Sequence, residues 1–309
     1  MLGHIYKYFP SGMLDLVFKR NGFCGIKCSR PKDYNDPFEL FLGVDLNVAT
    51  EELAAYRELV QELPQFPTTC FSKSPVVAPM WAHYAQNHSG CVLEFDAKAL
   101  SNSVGDALIK EVSYKEEPDE RIKDHLRLAM GTKKPRHTHF LQQAVMHEAY
   151  FSKFSAWSYE EECRLVCEDE DVEDVAGSMI LFVPQHCVTS IFVGKGASDE
   201  EIHTSCDISN ELGVGWYQSV IGKSQPKPFF KDRKEDVFVF DGKQVTRADN
   251  ACDVCSDPVS GVAALCAWCK ITEDHENEAA QNNPFRIMDH FGLLEGYLEG
   301  LEEIARGKK

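Results

Sequence analysis

The sequence predicts an α+β body followed by a small metal-stabilised appendage. Three observations carry that prediction. Short apolar or alternating runs of strand length mix irregularly with stretches of helical periodicity, with no regular strand–helix repeat. A basic stretch with two prolines, GKSQPKPFFKDRKE at Gly222 to Glu235, interrupts the composition. Beyond it stand Cys252, Cys255, Cys266 and Cys269, spaced C-x2-C, ten residues, C-x2-C. Residues 1–232 are therefore assigned to the body, and 233–309 to a zinc-knuckle hairpin with a C-terminal amphipathic helix. A chain of 309 residues can build one large core or two modest ones.

The elements follow in order. His4 to Phe9 alternates as a first strand. Ser11 as N-cap and Gly22 as stop bracket a helix near 12–21, after which Phe23 to Cys28 is a strand. Thr50, with Glu51 and Glu52 in its first turn, opens a helix that ends before Pro64. Thr68 to Ser72 is a buried strand, Met80 to Gln86 a short helix and Cys91 to Phe95 a strand after Gly90. Helical periodicity covers 118–130 and 138–153, and Glu162 to Cys167 alternates as a half-buried strand. Met179 to Val183 and Thr189 to Val193 are buried strands. Ser198 and Glu201 form a capping box for a helix that stops at Gly213, followed by a strand at Trp216 to Ile221. Asp241-Gly242 turns a hairpin between Val237 to Phe240 and Lys243 to Thr246. From Asn283 to Arg306, apolar residues recur every three or four positions as one amphipathic helix, which packs on the body or on a protein partner.

Composition excludes some functions. The net charge of −17 opposes bulk nucleic-acid binding and anionic membranes. Lys133, Lys134, Arg136, His137 and His139 are the densest positive run, read as a solvated face. No apolar run approaches the roughly 18–20 residues of a membrane span, and MLGHIYKYFP has no signal-peptide pattern. Twelve cysteines without an export signal point to reduced thiols in the cytoplasm. The quartet then offers four thiolates as two chelating pairs, the ligand set of a closed structural zinc site with no open catalytic position.

Three clusters mark the body: Asn35-Asp36-Pro37-Phe38-Glu39; Cys70-Phe71-Ser72 leading through Met80-Trp81-Ala82-His83-Tyr84 to His88-Ser89-Gly90; and Trp157 with Glu160, Glu162 and Arg164. With the strand around Tyr6, Lys7 and Tyr8 and the apolar run ending at Gly194, these residues resemble the bacterial domain-of-unknown-function family 2971 over about residues 4–225. The cysteine tail is no part of that pattern. The resemblance implies no settled activity, and suggests defence against phage as a setting.

On a strand, Glu160-x-Glu162 puts both carboxylates on one face, about 7 Å apart. The order of residue types is also similar to ADP-ribosyltransferases of the Arg-Ser-Glu kind: a basic residue on an early strand (Lys7 or His4), Ser72 on a middle strand, then E-x-E. That similarity implies NAD as co-substrate, with Glu162 holding the nicotinamide ribose and favouring an oxocarbenium-like transition state, and Glu160 orienting the acceptor. His83 joins the catalytic candidates. Trp81 and Tyr84 are candidates for a stacking platform, and Asp36 and Glu39 for polar contacts to a small molecule or nucleotide. Each residue also has a plain structural reading: Trp81 and Tyr84 as core, and Glu160, Glu162 and Arg164 as a cross-strand ion pair. The alternative function is a non-catalytic binding or sensor module. A metal-dependent hydrolase or nuclease using Asp36, Glu39, His83 and His88 ranks lower, because their spacing fits no H-E-x-x-H type motif.

Overall fold

A computed structural model describes residues 3–34, 36, 44–61, 63–105 and 107–307. The chain forms two compact units, Met1–Ile221 with Lys227–Arg247, and Gly222–Pro226 with Ala248–Lys309. Among the described residues no helix is long and apolar enough to cross a membrane.

The body is α+β, built on a ten-stranded sheet. From one edge its strands are Val245–Arg247, Val237–Phe240, Phe229–Lys231, Gly215–Val220, Val188–Val193, Cys91–Asp96, His4–Phe9, Thr68–Ser72, Glu162–Val166 and Leu108–Glu111. Neighbours run antiparallel, except that Val188–Val193 and Gly215–Val220 are parallel and joined through the helix Asp199–Leu212. The hairpin over 237–247, grouped with the appendage on sequence grounds, instead supplies the last two strands of this sheet. A second sheet holds Phe23–Cys28, Ser178–Pro184 and Val172–Val175.

Strand alternation explains where the first strand sends its side chains. Ile5 and Phe9 enter the core between the two sheets with Ile26, Leu93, Phe95, Leu165 and Leu181. Tyr6 and Tyr8 go to the opposite face with Trp81, Val92, Phe192 and Phe230. Lys7 shares the alternation of Ile5 and Phe9, so a lysine is carried into the space between the sheets. The first strand pairs with Cys91–Asp96 along six residues, but with Thr68–Ser72 only at Tyr6 opposite Ser72. The two strands part beyond that point and leave an opening.

Two glycines of the family-like pattern have a packing reason. A Cβ on Gly90 would lie 2.1 Å from the Phe9 carbonyl oxygen, and one on Gly194 2.0 Å from that of His88. The Gly194 N–H donates to the Gly90 carbonyl at 2.9 Å, so the two backbones run in direct contact.

Some local signals resolve differently from expectation. Only Leu14–Val17 is helical in the 12–21 stretch, and its N-cap is Met13. Ser11 instead donates its hydroxyl to Glu201 at 2.8 Å, and the Gly12 N–H reaches the same carboxylate oxygen. Ser198 caps its helix by accepting from the Glu201 N–H at 3.2 Å, but the Glu201 side chain is diverted to that distant turn. The expected C-terminal helix is two, Pro284–His290 and Leu294–Gly307, separated at Gly292 with φ +65°.

Candidate functional site

Where the first strand and Thr68–Ser72 separate, the body has a cavity of about 210 Å³. Lys7, Ser72, Tyr84, Glu160 and Glu162 line it, as do Tyr34, Cys70, Lys153 and Arg164. Register pairs Ser72 with Tyr6 on one side and with Glu162 on the other, which puts Ser72 and Glu162 on the face opposite the one Lys7 starts from. All three line the cavity because the gap between the first strand and Thr68–Ser72 opens it to both faces. The Lys7 ammonium reaches over the gap, donating to Thr69 Oγ1 at 2.8 Å and to the Cys70 carbonyl at 2.9 Å.

The two glutamates converge by a different route from strand alternation. Glu160 ends the 3₁₀ turn Ser155–Glu160, Glu161 takes a left-handed conformation with φ +46°, and Glu162 begins its strand. A buried lysine between them completes the arrangement. Lys153 Nζ is 2.6 Å from Glu160 Oε2 and 3.1 Å from Glu162 Oε2. The Arg164 guanidinium grips Glu162 with Nε on Oε1 at 2.8 Å and Nη2 on Oε2 at 3.1 Å, and donates from Nη1 to the Tyr150 carbonyl. Tyr84 donates its hydroxyl to Glu160 Oε1 at 2.7 Å. The Glu162 N–H donates to the Tyr114 hydroxyl at 2.7 Å, fixing the strand start.

Burial and charge compete in this network. Burial pushes the Glu162 carboxyl up, with Lys153 the chief opposing charge. Burial works against the Lys153 ammonium, but Glu162 and Glu160 outweigh it and hold that lysine above its ordinary value. Burial brings the Arg164 guanidinium down to about 10, still charged at neutral pH. It lowers Lys7 as well, with Cys70, Cys28 and Glu162 acting the other way. The Cys70 thiol is pushed well up by burial and by Glu162, so it is held neutral.

Not every candidate reaches the cavity. Trp81 is fully buried, donates its indole N–H to the Pro75 carbonyl at 2.7 Å and meets Tyr8 edge-on; it is core, not a stacking platform. His83 is exposed on its helix and is absent from the cavity wall. His88 stacks flat on Trp81. Asp36 is buried and acts electrostatically on Arg164 from outside the wall. Glu39 lies outside the described residues. Among the described residues, Asp36, His83 and His88 form no group of three metal-ligating side chains.

Lys153 is the main residue that sequence reasoning misses. It lies in the short strand Ser152–Phe154, directly after the helix Pro135–Phe151, whose periodicity masks the change. Tyr34 and Tyr114 are missed for a similar reason, since a lone tyrosine carries no spacing signal. Arg164 is visible in E-x-E-x-R, but its fork around Glu162 is not.

The second unit holds a separate site. The four sulfurs of Cys252, Cys255, Cys266 and Cys269 all lie within 4.8 Å of one another, positioned to hold a metal ion. Backbone N–H groups, that of Cys266 foremost, draw the Cys252 thiol down to about 6. Asp257 secures the knuckle: one carboxylate oxygen accepts from the Lys223 and Ser224 N–H groups and from the Ser224 hydroxyl at 2.8 to 2.9 Å. Trp268 adds an indole hydrogen bond to the Lys223 carbonyl at 2.9 Å.

Residues 80–165 match the model of a family described as protein of unknown function, DUF2971. That segment contains Tyr84, Lys153, Glu160, Glu162 and Arg164 and is narrower than the 4–225 stretch of the sequence resemblance. No curated protein matches the chain, and neither does any solved structure.

Proposed function

We propose that the body is an ADP-ribosyltransferase-like domain that takes NAD at the cavity between Lys7, Ser72 and Glu162. The observation that carries this reading is that a basic residue, a serine and an E-x-E glutamate from three neighbouring strands line one cavity. The lining fits such a ligand. Lys7 and Lys27 supply cations for a pyrophosphate, Tyr34 and Tyr84 supply aromatic walls, and Ser72 and Glu162 supply polar groups for a ribose. Among the described residues the buried Tyr34 hydroxyl has no well-formed hydrogen-bond partner, although it lies near Thr68. At about 210 Å³ the cavity is below the roughly 300 Å³ of a small whole-ligand pocket, so it suits the nicotinamide-ribose end and not the entire dinucleotide.

Bound NAD would supply a glycosidic bond whose cleavage leaves positive charge on the ribose. Glu162 is placed to offset that charge as a carboxylate in the cavity wall, although Arg164 and Lys153 already engage three of its roughly four acceptor sites. Arg164 and Lys153 fix the carboxylate in one orientation, which removes the cost of reorganising it during reaction. Glu160, tied to Tyr84 and Lys153, stands beside Glu162 where an acceptor would approach.

A second reading, a non-catalytic binding module, is favoured by the same cations, because they already neutralise both carboxylates. Incubation of the full chain with labelled NAD separates the two. Nicotinamide release or label transfer by the wild type, reduced at least a hundredfold in Glu162→Gln, supports the enzyme. NAD bound equally by both proteins and turned over by neither supports the binding module. No binding and no turnover removes NAD from consideration.

The cysteine quartet is proposed to hold zinc, since four thiolates suit it and nothing in the chain suggests electron transfer. Twelve cysteines, four of them grouped for a metal, suit a reducing compartment such as the cytoplasm.

A further inference from the structure

The second unit ends in three helices, Glu273–Gln281, Pro284–His290 and Leu294–Gly307, and none of them contains a buried residue. On the last helix Leu294, Tyr297, Leu298, Leu301 and Ile304 recur at three- and four-residue spacing and so share one face. Tyr297, Leu298 and Leu301 are each 44–46% exposed, and Ile304 is 60% exposed. Phe291 and Leu293, just before this helix, are exposed further still. A contiguous apolar face of this kind on a water-soluble surface is a mark of a docking site.

The charges beside that face indicate what covers it. Glu295, Glu299, Glu302 and Glu303 form an acidic flank along one side of the apolar stripe. Residues 273–307 carry nine carboxylates against two arginines. Two copies of this surface paired antiparallel would set like charges against each other around a two-fold axis, at a cost in affinity. An anionic membrane would meet the same repulsion. A basic partner gains Coulomb attraction along the flank while its apolar residues cover the stripe. The stripe is about 21 Å long, the length of a 14-residue helix at 1.5 Å per residue.

We propose that the 284–307 region is a docking face for a basic amphipathic helix of another protein. The apolar stripe supplies most of the affinity and the acidic flank selects the sign of the partner's charge. This inference is independent of the NAD reading of the body.

The test uses the full chain and three fluorescent peptides: an amphipathic Lys/Leu helix, its Glu/Leu counterpart, and a scrambled Lys/Leu peptide of equal charge. Fluorescence anisotropy at physiological salt is expected to show the Lys/Leu helix binding at least tenfold more tightly than either control. Leu298→Asp with Leu301→Asp is expected to abolish that preference, and Glu295→Lys with Glu299→Lys to shift it towards the Glu/Leu peptide. Unchanged zinc content and circular dichroism show that these surface variants remain folded. Equal binding of the scrambled and amphipathic cationic peptides overturns the proposal, since charge alone then explains it. So does the absence of binding. Sedimentation that reveals a dimer lost on Leu298→Asp would instead assign the face to a second copy of the chain.

Discussion

The Lys153 ammonium lies 2.6 Å from a carboxylate oxygen of Glu160, with both side chains over nine-tenths buried. The same nitrogen is 3.1 Å from Glu162, so one cation holds two carboxylates that would otherwise repel each other in a low-dielectric setting. Glu160 and Glu162 belong to different elements, and this contact ties their carboxylates together. Removing one partner of a buried ion network typically costs about 3–5 kcal/mol, as the remaining charge stays uncompensated.

Lys153→Met is therefore expected to lower stability by about 3 kcal/mol or more in urea unfolding. Adding Glu160→Gln relieves the exposed repulsion, and the double variant is expected to recover at least about 1 kcal/mol. A Lys153→Met protein within about 0.5 kcal/mol of wild type would show that the lysine contributes little to holding the pair.

The proposed NAD site would work in a defined pH window. Burial lowers Lys7, so it loses its charge at a lower pH than the roughly 10.4 of a free lysine, and affinity falls as pH rises through that lowered value. Burial raises Glu162, so the negative charge disappears at a higher pH than the roughly 4.3 of a free glutamate, and turnover falls as pH drops through the raised value. Both ends of the window thus move towards neutrality. Lys7→Arg keeps its charge throughout and is expected to remove the alkaline limb alone. NAD titrations across pH check this, and an unchanged alkaline limb in Lys7→Arg would assign it to another group.

The cysteine unit is expected to carry about one zinc per chain by elemental analysis. Cys255→Ser is expected to lose the metal and, with it, protection of 248–272 from proteolysis, since a closed thiolate site supplies the folding energy of so small a unit. The NAD turnover proposed for the body is expected to survive. Full metal retention in Cys255→Ser would rule out the four-sulfur site.

Local signals in the chain were legible wherever the cause was local. The strand Thr68–Ser72 keeps the bounds its apolar run implies, because strand alternation and β-branched residues act over neighbours in sequence. Gly213 ends its helix with φ +68°, a conformation that glycine adopts at little cost. The C-x2-C pairs announced their own convergence, because chelate geometry is set by spacing. Capping signals were less dependable. Ser11 and Glu201 both look like local caps, yet they bind each other, since a side-chain oxygen satisfies any N–H or hydroxyl that folding brings near.

The order of residues alone specifies the α+β class, most strands, the cysteine quartet able to hold a metal and the residue types of the E-x-E cluster. Tertiary structure alone decided which of those residues share a cavity. Trp81 and His83 sit in the same motif as Tyr84, but helix rotation buries the first, exposes the second and turns only the third to Glu160. Lys153 joined the site, unmarked by any motif, because a helix end and a strand start placed its ammonium between two carboxylates. The physical reason is range. Propensity and spacing act over a few residues, whereas a cavity is defined by strands that meet only after the chain has closed long loops, and its charges settle according to what surrounds them there.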